Sequence, residues 1–453
     1  MEVELRSLIA ASAPDARLPS VRSLMARHRA SPVTVQRIVD RLVREGRVVS
    51  RPGSGVYVAS RAALGRIDTA GQAPALGDAP WRDVVARVFR PPPPGAIDLA
   101  SGYGDAELEP TALLRQAFGR ASRRSGVYGR TELAGNPELR AWFATASGLP
   151  YSPRNVLVAP GGQAALSTVI RALVRPGGAL VVETPTYFGV IAIARAAGIR
   201  LVPLPTDAHG LRTDLLDRVP RDPPPRAVYV QPCWANPTGS VLAPERREAL
   251  VAWARRVGAF VIEDDYARDL DLDPAGRPPL PLAAEAPDCV IYLRTLTKLI
   301  AASVRVCAVA AHGPVLDRLA AAAGVDHWFT SGIVQEAALE LVRSRGWPAH
   351  VARVQRILRA RRDAAVERLC EVGLPPATEP RGGYSLWVPL PVPEDVLLPA
   401  LTRDGVQVTA GSVYHAAEPD GPSLRISLAG ADVPTLLDGI DRLGRALGRV
   451  GAA

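Results

Sequence analysis

The chain has 453 residues, 47% of them hydrophobic and 22% charged, enough for about three compact units around a sizeable core. No apolar run reaches the ~18 residues of a membrane span, and Met1-Glu2-Val3-Glu4 lacks the basic start of a signal peptide, so a cytoplasmic protein with no membrane partner is expected. Four cysteines without C-x-x-C spacing (Cys233, Cys289, Cys307, Cys370) and six scattered histidines point to neither a disulfide framework nor a metal site, while the net charge of +9 asks for an acidic partner.

That charge is concentrated at the start. Residues 1–66 hold twelve arginines against five acids (Glu2, Glu4, Asp15, Asp40, Glu45), a balance of +7, and the other 387 residues carry only +2. Helices are expected over residues 3–11, with Val3, Leu5, Leu8 and Ile9 on one side, from the capping residue Ser20 to about His28, and from the cap-and-proline pair Ser31-Pro32. In the third helix Val35, Ile38, Val39 and Leu42 form an apolar stripe, and Thr34, Arg37, Arg41 and Arg44 form a second stripe suited to an anion. Gly46 stops it, and Arg47-Val48-Val49 and Val56-Tyr57-Val58 flank the turn Pro52-Gly53-Ser54-Gly55 as a small hairpin.

Three short helices and a basic hairpin make a winged helix-turn-helix, with the third helix in the major groove of double-stranded DNA and Arg51 and the Ser54-Gly55 tip near the backbone. The pattern Leu18-Pro19-Ser20-x-Arg22, Ser31-x-x-Thr34-Val35, Gly46, Ser54-Gly55-x-Tyr57-Val58 resembles the head of the GntR family. The resemblance implies that Arg22, Thr34, Arg37, Arg41, Arg51 and Ser54 contact an operator. It departs at Pro32, where the family commonly has arginine. The alternative is a vestigial head that only packs on the rest. Residues 67–94 read as a linker, with a short helix over Trp81–Arg90 and the stiff run Pro91–Pro94.

From about Asn155 short apolar strands alternate with helical patterns: Val156–Val158, Leu180–Val182, Leu201-Val202, Ala227–Val230, Phe260–Ile262, Val290–Leu293 and Val306–Val309. This predicts a mostly parallel seven-stranded sheet covered on both faces, over residues 95–335. Such sheets bind ligands at the carboxyl ends of their strands. Gly161-Gly162-Gln163, Tyr187, Asn236, Asp264 with Tyr266, and Lys298 all fall there.

Lys298 is the only lysine among 54 Lys+Arg residues. In so arginine-rich a chain a surviving lysine suggests a task a guanidinium cannot perform, such as losing its proton and forming a Schiff base. An aldehyde on a pyridine ring needs an amine to hold it, a carboxylate to keep the ring nitrogen protonated, donors to its phenolate oxygen, and a phosphate cradle. Lys298 and Asp264 supply the first two, and Asn236 and Tyr266 the phenolate donors. Gly162 and Gln163 at a helix start, with Thr295, Thr297 and Arg305, suit the phosphate, and Tyr187 suits the ring face.

These positions resemble the fold-type-I pyridoxal-phosphate enzymes of the aspartate aminotransferase kind, through Asn236-Pro237-Thr238-Gly239, Asp264-x-Tyr266, Thr295-x-Thr297-Lys298, Arg305 and Leu424-Arg425-Ile426-Ser427. The resemblance implies that Arg425 grips the α-carboxylate of an amino compound. Departures are the threonines around Leu296, usually serines, Ala302-Ser303 where Pro-Gly is usual, and Gln163-Ala164 in place of paired glutamines. Tyr128 resembles the tyrosine that reaches the partner subunit's phosphate, with a spacing to Gly135 two residues longer than usual. Residues 336–453 are expected to be a small α+β domain, with an arginine-rich joining helix over 351–369 and strands at 382–388, carrying Tyr384 near the substrate, at 405–409, and around Arg425. For the arginines of that helix a solvated face is favoured over a second nucleic-acid surface.

A GntR-like head on an aminotransferase-like body resembles the MocR-type regulators. It implies a head-to-tail homodimeric transcription factor whose pyridoxal 5'-phosphate, alone or joined to an amino compound, alters its hold on DNA. Because every catalytic group is present, an active aminotransferase or other biosynthetic enzyme with a residual head is the alternative. A third reading is a DNA-binding protein with a dead effector domain.

Overall fold

The computed structural model describes residues 1–59, 69, 72, 76, 79, 81–89, 91–273 and 278–451. Residues 60–66 of the expected head and most of the expected linker over 67–80 lie outside the described residues. The chain divides into two compact units, Met1–Asp78 and Ala79–Ala453.

In the first unit three helices, α1 (Glu2–Ala11), α2 (Val21–His28) and α3 (Pro32–Arg44), precede a hairpin of β1 (Val48–Arg51) and β2 (Gly55–Val58). Both serine caps form: Ser20 Oγ accepts from Ser23 N and Ser31 Oγ from Thr34 N, each at 3.2 Å, satisfying an otherwise orphaned N–H. Val35, Val39 and Leu42 of α3 are buried against Leu5, Ile9 and Leu24, while Thr34, Arg37, Arg41 and Arg44 are exposed. The two stripes therefore separate as their spacing requires.

The second unit is built on an eight-stranded sheet in the order β4-β11-β10-β9-β8-β5-β6-β7. Its strands are β4 (Val156–Ala159), β5 (Ala179–Thr184), β6 (Arg200–Asp207), β7 (Gly210–Leu211), β8 (Ala227–Val230), β9 (Phe260–Asp264), β10 (Val290–Thr295) and β11 (Cys307–Ala310). The seven expected strands are present. The eighth, β7, is a two-residue edge that folds back antiparallel on β6 and is too short to read from a sequence pattern. Pairs among β6, β5, β8, β9 and β10 are parallel, and β11, like the edge β7, runs against its neighbours. Alternate residues serve two cores: Val181, Val228, Val261 and Tyr292 on one face, Val182, Tyr229, Ile262 and Ile291 on the other. Both faces are thus covered, as continuous apolar strands demand.

The last hundred residues carry a three-stranded antiparallel sheet, β12-β15-β14, of β12 (Ser385–Pro389), β14 (Thr409–Ala410) and β15 (Ser423–Ser427). The single strand expected at 405–409 is split. Its first part, β13 (Val406–Gln407), pairs instead with β3 (Ile97–Asp98), which the sequence did not announce. A helix, Gly332–Val342, runs through the expected boundary at 335/336.

The arginine-rich helix is longer than expected, Trp347–Glu371, and its face is not simply solvated. Arg361 is fully buried, paired with Asp105 at 2.8 Å and Glu107 at 2.6 Å, and donates to the carbonyls of Leu428 and Ala429. A charge is tolerated there because paired acids and carbonyls replace its water.

Candidate functional site

A cavity of about 290 Å³ lies at the carboxyl ends of the strands. Strand β4 ends at Ala159, and Gly161, at φ +94°, turns the chain into the helix Gly162–Leu173. A Cβ on Gly161 would stand 2.7 Å from the Arg305 guanidinium, so glycine is what lets that cation lie against the helix N-terminus. Thr297 Oγ1 donates to the Val304 carbonyl at 3.0 Å and lies 3.1 Å from Thr295 Oγ1, which tightens the turn before the lysine. The loop with Ala302-Ser303 in place of Pro-Gly still delivers Arg305 to the cavity.

Lys298 Nζ donates to the Gly102 carbonyl at 2.9 Å and lies 4.1 Å from the centre of the Tyr103 ring. Burial, then the Arg425 and Arg305 charges, bring its pKa from 10.5 to about 7, against the opposing pull of Asp264. Asp264 ends β9. Burial pushes its carboxyl up, while hydrogen bonds from Tyr229 OH (2.7 Å) and Gln231 Nε2 (2.9 Å) pull it down. Arg425, on β15, is buried; its Nε donates to Ser385 Oγ at 2.9 Å and its Nη1 to the Ala100 carbonyl at 3.1 Å.

Gly162, Gln163, Tyr187, Asn236, Asp264, Tyr266, Thr295, Thr297, Lys298, Arg305, Tyr384 and Arg425 all line this cavity. Tyr187 OH donates to Gln163 Oε1 at 3.0 Å, Tyr384 OH to the Gly102 carbonyl at 2.8 Å, and Tyr266 OH to the Trp234 carbonyl at 2.9 Å. The Tyr266 proton is thus engaged with the main chain here. Tyr128 is not in the cavity: it is 74% exposed and its hydroxyl donates to the Ser122 carbonyl. Sequence reasoning missed Gly102, Tyr103, Tyr229 and Gln231. The first two lie nearly two hundred residues from Lys298, Tyr229 reads simply as a strand residue, and Gln231 lies just past that strand with no signal of its own.

On the head, Arg22 and Arg37 are exposed and in no ion pair among the described residues. Arg41 pairs with Glu2 at 3.1 Å; Arg51 pairs with Asp15 at 2.9 Å and lies over the Tyr57 ring at 4.5 Å. Thr34 Oγ1 is 2.9 Å from Ser31 Oγ, and Ser54 Oγ 2.6 Å from Tyr57 OH. Among the described residues no helix is long and apolar enough to cross a membrane.

The chain belongs to the aminotransferase class I and II family, which it matches over residues 96–443, and residues 3–58 match the gntR family of bacterial regulatory proteins. A GntR head joined to this pyridoxal-phosphate-dependent fold is the organisation of the MocR-type transcriptional regulators, and the chain is one of them. It is 28% identical to the probable rhizopine catabolism regulatory protein MocR of Rhizobium meliloti, over 95% of this chain and 89% of that one. It is 29% identical to the pyridoxine biosynthesis transcriptional regulator PdxR of Corynebacterium glutamicum, over 91% and 87%. Among solved structures it resembles LysN, the α-aminoadipate aminotransferase of Thermus thermophilus complexed with N-(5'-phosphopyridoxyl)-L-leucine, with a TM-score of 0.74 and 29% identity over 82% of this chain and 97% of that one.

The residues present fit pyridoxal phosphate. The cradle at Gly161 is a space that a Cβ would fill, faced by a guanidinium and a helix N-terminus. The buried Oδ1 of Asn236 meets no hydrogen-bond partner among the described residues, which leaves an amide end to be satisfied by a polar group in the cavity. A largely buried amine and a largely buried carboxylate complete the donor set.

Proposed function

We propose that the head binds operator DNA through Arg22, Thr34, Arg37, Arg41, Arg51 and Ser54, and that its hold on DNA answers to pyridoxal phosphate, alone or joined to an amino compound, held at Lys298. The observation that carries the reading is that the chain's only lysine is largely buried with its pKa brought to about 7, in one cavity with Asp264, Arg305 and Arg425. When bound, the cofactor supplies an electron sink for bonds to the amino carbon. Lys298 provides the unprotonated amine that keeps it in place. Asp264 holds a proton on the ring nitrogen, while Asn236 and Tyr266 face the phenolate oxygen. Gly162, Gln163, Thr295, Thr297 and Arg305 bind the phosphate, and Tyr187 covers the ring. Arg425, with Tyr384 beside it, grips the carboxylate of the amino compound by its planar fork.

The division of labour we propose is residues 1–66 for DNA, 67–94 as linker, and 95–335 and 336–453 as the large and small parts of the sensor. This fold is typically dimeric. We place a second copy head to tail against the exposed apolar residues Tyr128, Leu133, Val325 and Trp328, whose segments are joined by a hydrogen bond from Thr131 Oγ1 to the Thr330 carbonyl at 3.1 Å. That arrangement would turn Tyr128 toward the other copy's cavity. Exposed tyrosine and tryptophan on one face suit such an interface.

The intact set of catalytic groups favours one second reading, an active aminotransferase with a residual head. Operator-region DNA titrated at two salt concentrations, with apo, cofactor-loaded and amine-treated protein, separates the two when transamination of a panel of amines is measured in parallel. Cofactor-dependent, salt-sensitive binding with slow turnover supports the regulator. No DNA preference together with turnover above about 1 per second, the low end of ordinary enzymes, supports the enzyme. An amino compound that changes DNA affinity must itself bind DNA-free and DNA-bound protein unequally, by the same factor.

A further inference from the structure

Asp264 is a largely buried carboxylate, and burial alone would drive it toward its neutral form. The Lys298 charge and two neutral donors oppose this, and both donors reach the same oxygen: Tyr229 OH at 2.7 Å and Gln231 Nε2 at 2.9 Å, each to Oδ2. Oδ1 takes no hydrogen bond from the described residues, and Asp264 lines the cavity. The arrangement follows from strand register. Tyr229 lies opposite Ile262, and Val230 opposite Glu263, in the parallel pair β8-β9, so Gln231 comes level with Asp264 and shares a face with Tyr229.

Gln231 is itself fixed at three points. Its backbone N–H donates to Glu183 Oε2 at 3.0 Å, its Oε1 accepts from the backbone N–H of Asn236 at 2.9 Å, and its Nε2 is left to donate to Asp264. Because Oε1 must accept from a backbone N–H, the amide cannot flip, and a donor always faces the carboxylate. Glu183 is a second buried carboxyl, raised to about 7 chiefly by burial, and the Asp264 charge raises it further. The donors act on a carboxylate whose ionisation burial opposes.

We propose that Tyr229 and Gln231 are positioning residues for the cofactor: by saturating Oδ2 they keep Asp264 ionised through the neutral range and leave Oδ1 to accept a hydrogen bond from the protonated ring nitrogen. This rests on the reading that Asp264 meets the ring nitrogen. A hydrogen bond to a charged group is the stronger kind, so loss of one donor should cost about tenfold or more in affinity where the carboxylate is forced to protonate.

The test is the dissociation constant of pyridoxal phosphate for the full-length apo protein, measured by fluorescence between roughly pH 5.5 and 9. Tyr229→Phe keeps the buried ring and removes only the hydroxyl; Gln231→Leu provides a second variant. In both, the Asp264 pKa rises, so affinity should fall about tenfold at the acid end and recover as pH rises through the new pKa. An equal loss at every pH, or none in either variant, would overturn the proposal, since a merely structural role has no reason to follow protonation. Asp264→Asn is the reference background. In it Tyr229→Phe should no longer change the pH profile, and a Tyr229→Phe effect that persists there also overturns the proposal. If Asp264→Asn binds the cofactor as well as wild type, the placement of Asp264 itself fails, which is a separable result.

Discussion

The depressed pKa of Lys298 predicts how fast the apo protein captures its cofactor as pH is varied. Only the unprotonated amine attacks an aldehyde. With a pKa of about 7, half of the Lys298 population is competent at neutral pH, whereas a lysine at the ordinary 10.5 would be competent in roughly 3 molecules in 10,000, a difference of about 1,500-fold. The observed rate should climb about tenfold per pH unit below neutrality and flatten by roughly pH 8. The causes predict a signed response. Arg425→Met removes a neighbouring positive charge, so the ammonium becomes easier to keep, the bend moves to higher pH and capture at neutral pH slows. Stopped-flow absorbance on mixing apo protein with pyridoxal phosphate, followed by borohydride trapping and peptide mass analysis, reads both rate and site. A rate that rises without a bend to pH 9.5 or so would refute the desolvation argument, and an undiminished adduct in Lys298→Ala would refute the residue.

Gly161→Ala should weaken retention of pyridoxal phosphate by about 10- to 150-fold, the worth of one charge-assisted hydrogen bond, because its Cβ would displace the Arg305 guanidinium 2.7 Å away. Equilibrium dialysis measures it, and unchanged affinity would mean that Arg305 is not a phosphate ligand. Arg37→Ala should flatten the log–log dependence of DNA affinity on salt by about two, one for each head of the dimer, measured by anisotropy over a salt series. A flat response would take α3 off the phosphate backbone. Arg361→Leu should destabilise the protein by about 3 kcal/mol in denaturant unfolding, because it strands the partly buried Asp105 and takes a donor from the buried Leu428 and Ala429 carbonyls, and should leave that salt slope unchanged. A changed slope with unchanged stability would instead make this helix a nucleic-acid surface.

Much of the molecule was legible from local order. Ser31-Pro32, the two stripes of α3 and the Pro52–Gly55 turn specify the head, because caps, helical periodicity and turn chemistry act over a few residues. The apolar strands of the large sheet and the polar residues just beyond them could be read for the same reason, and their placement on one rim follows from the topology of parallel sheets. The lone lysine was conspicuous by composition.

Other features depended on contacts between segments distant in the chain, which a local pattern does not encode. The parallel register of β8 and β9 brings Tyr229 and Gln231 to Asp264, and the pairing of β3 with β13 carries Gly102 and Tyr103 beneath Lys298. Arg361 looked like one more solvated arginine until Asp105 and Glu107 met it from across the fold. Arg41 and Arg51 kept their exposure but acquired Glu2 and Asp15 as partners, and the Tyr266 proton went to the Trp234 carbonyl. Sequence by itself determined which chemical groups the protein possesses and at which strand ends they stand. Tertiary structure alone decided which of them touch, and hence the protonation of Lys298 and Asp264, since desolvation and neighbouring charge are properties of the packed site.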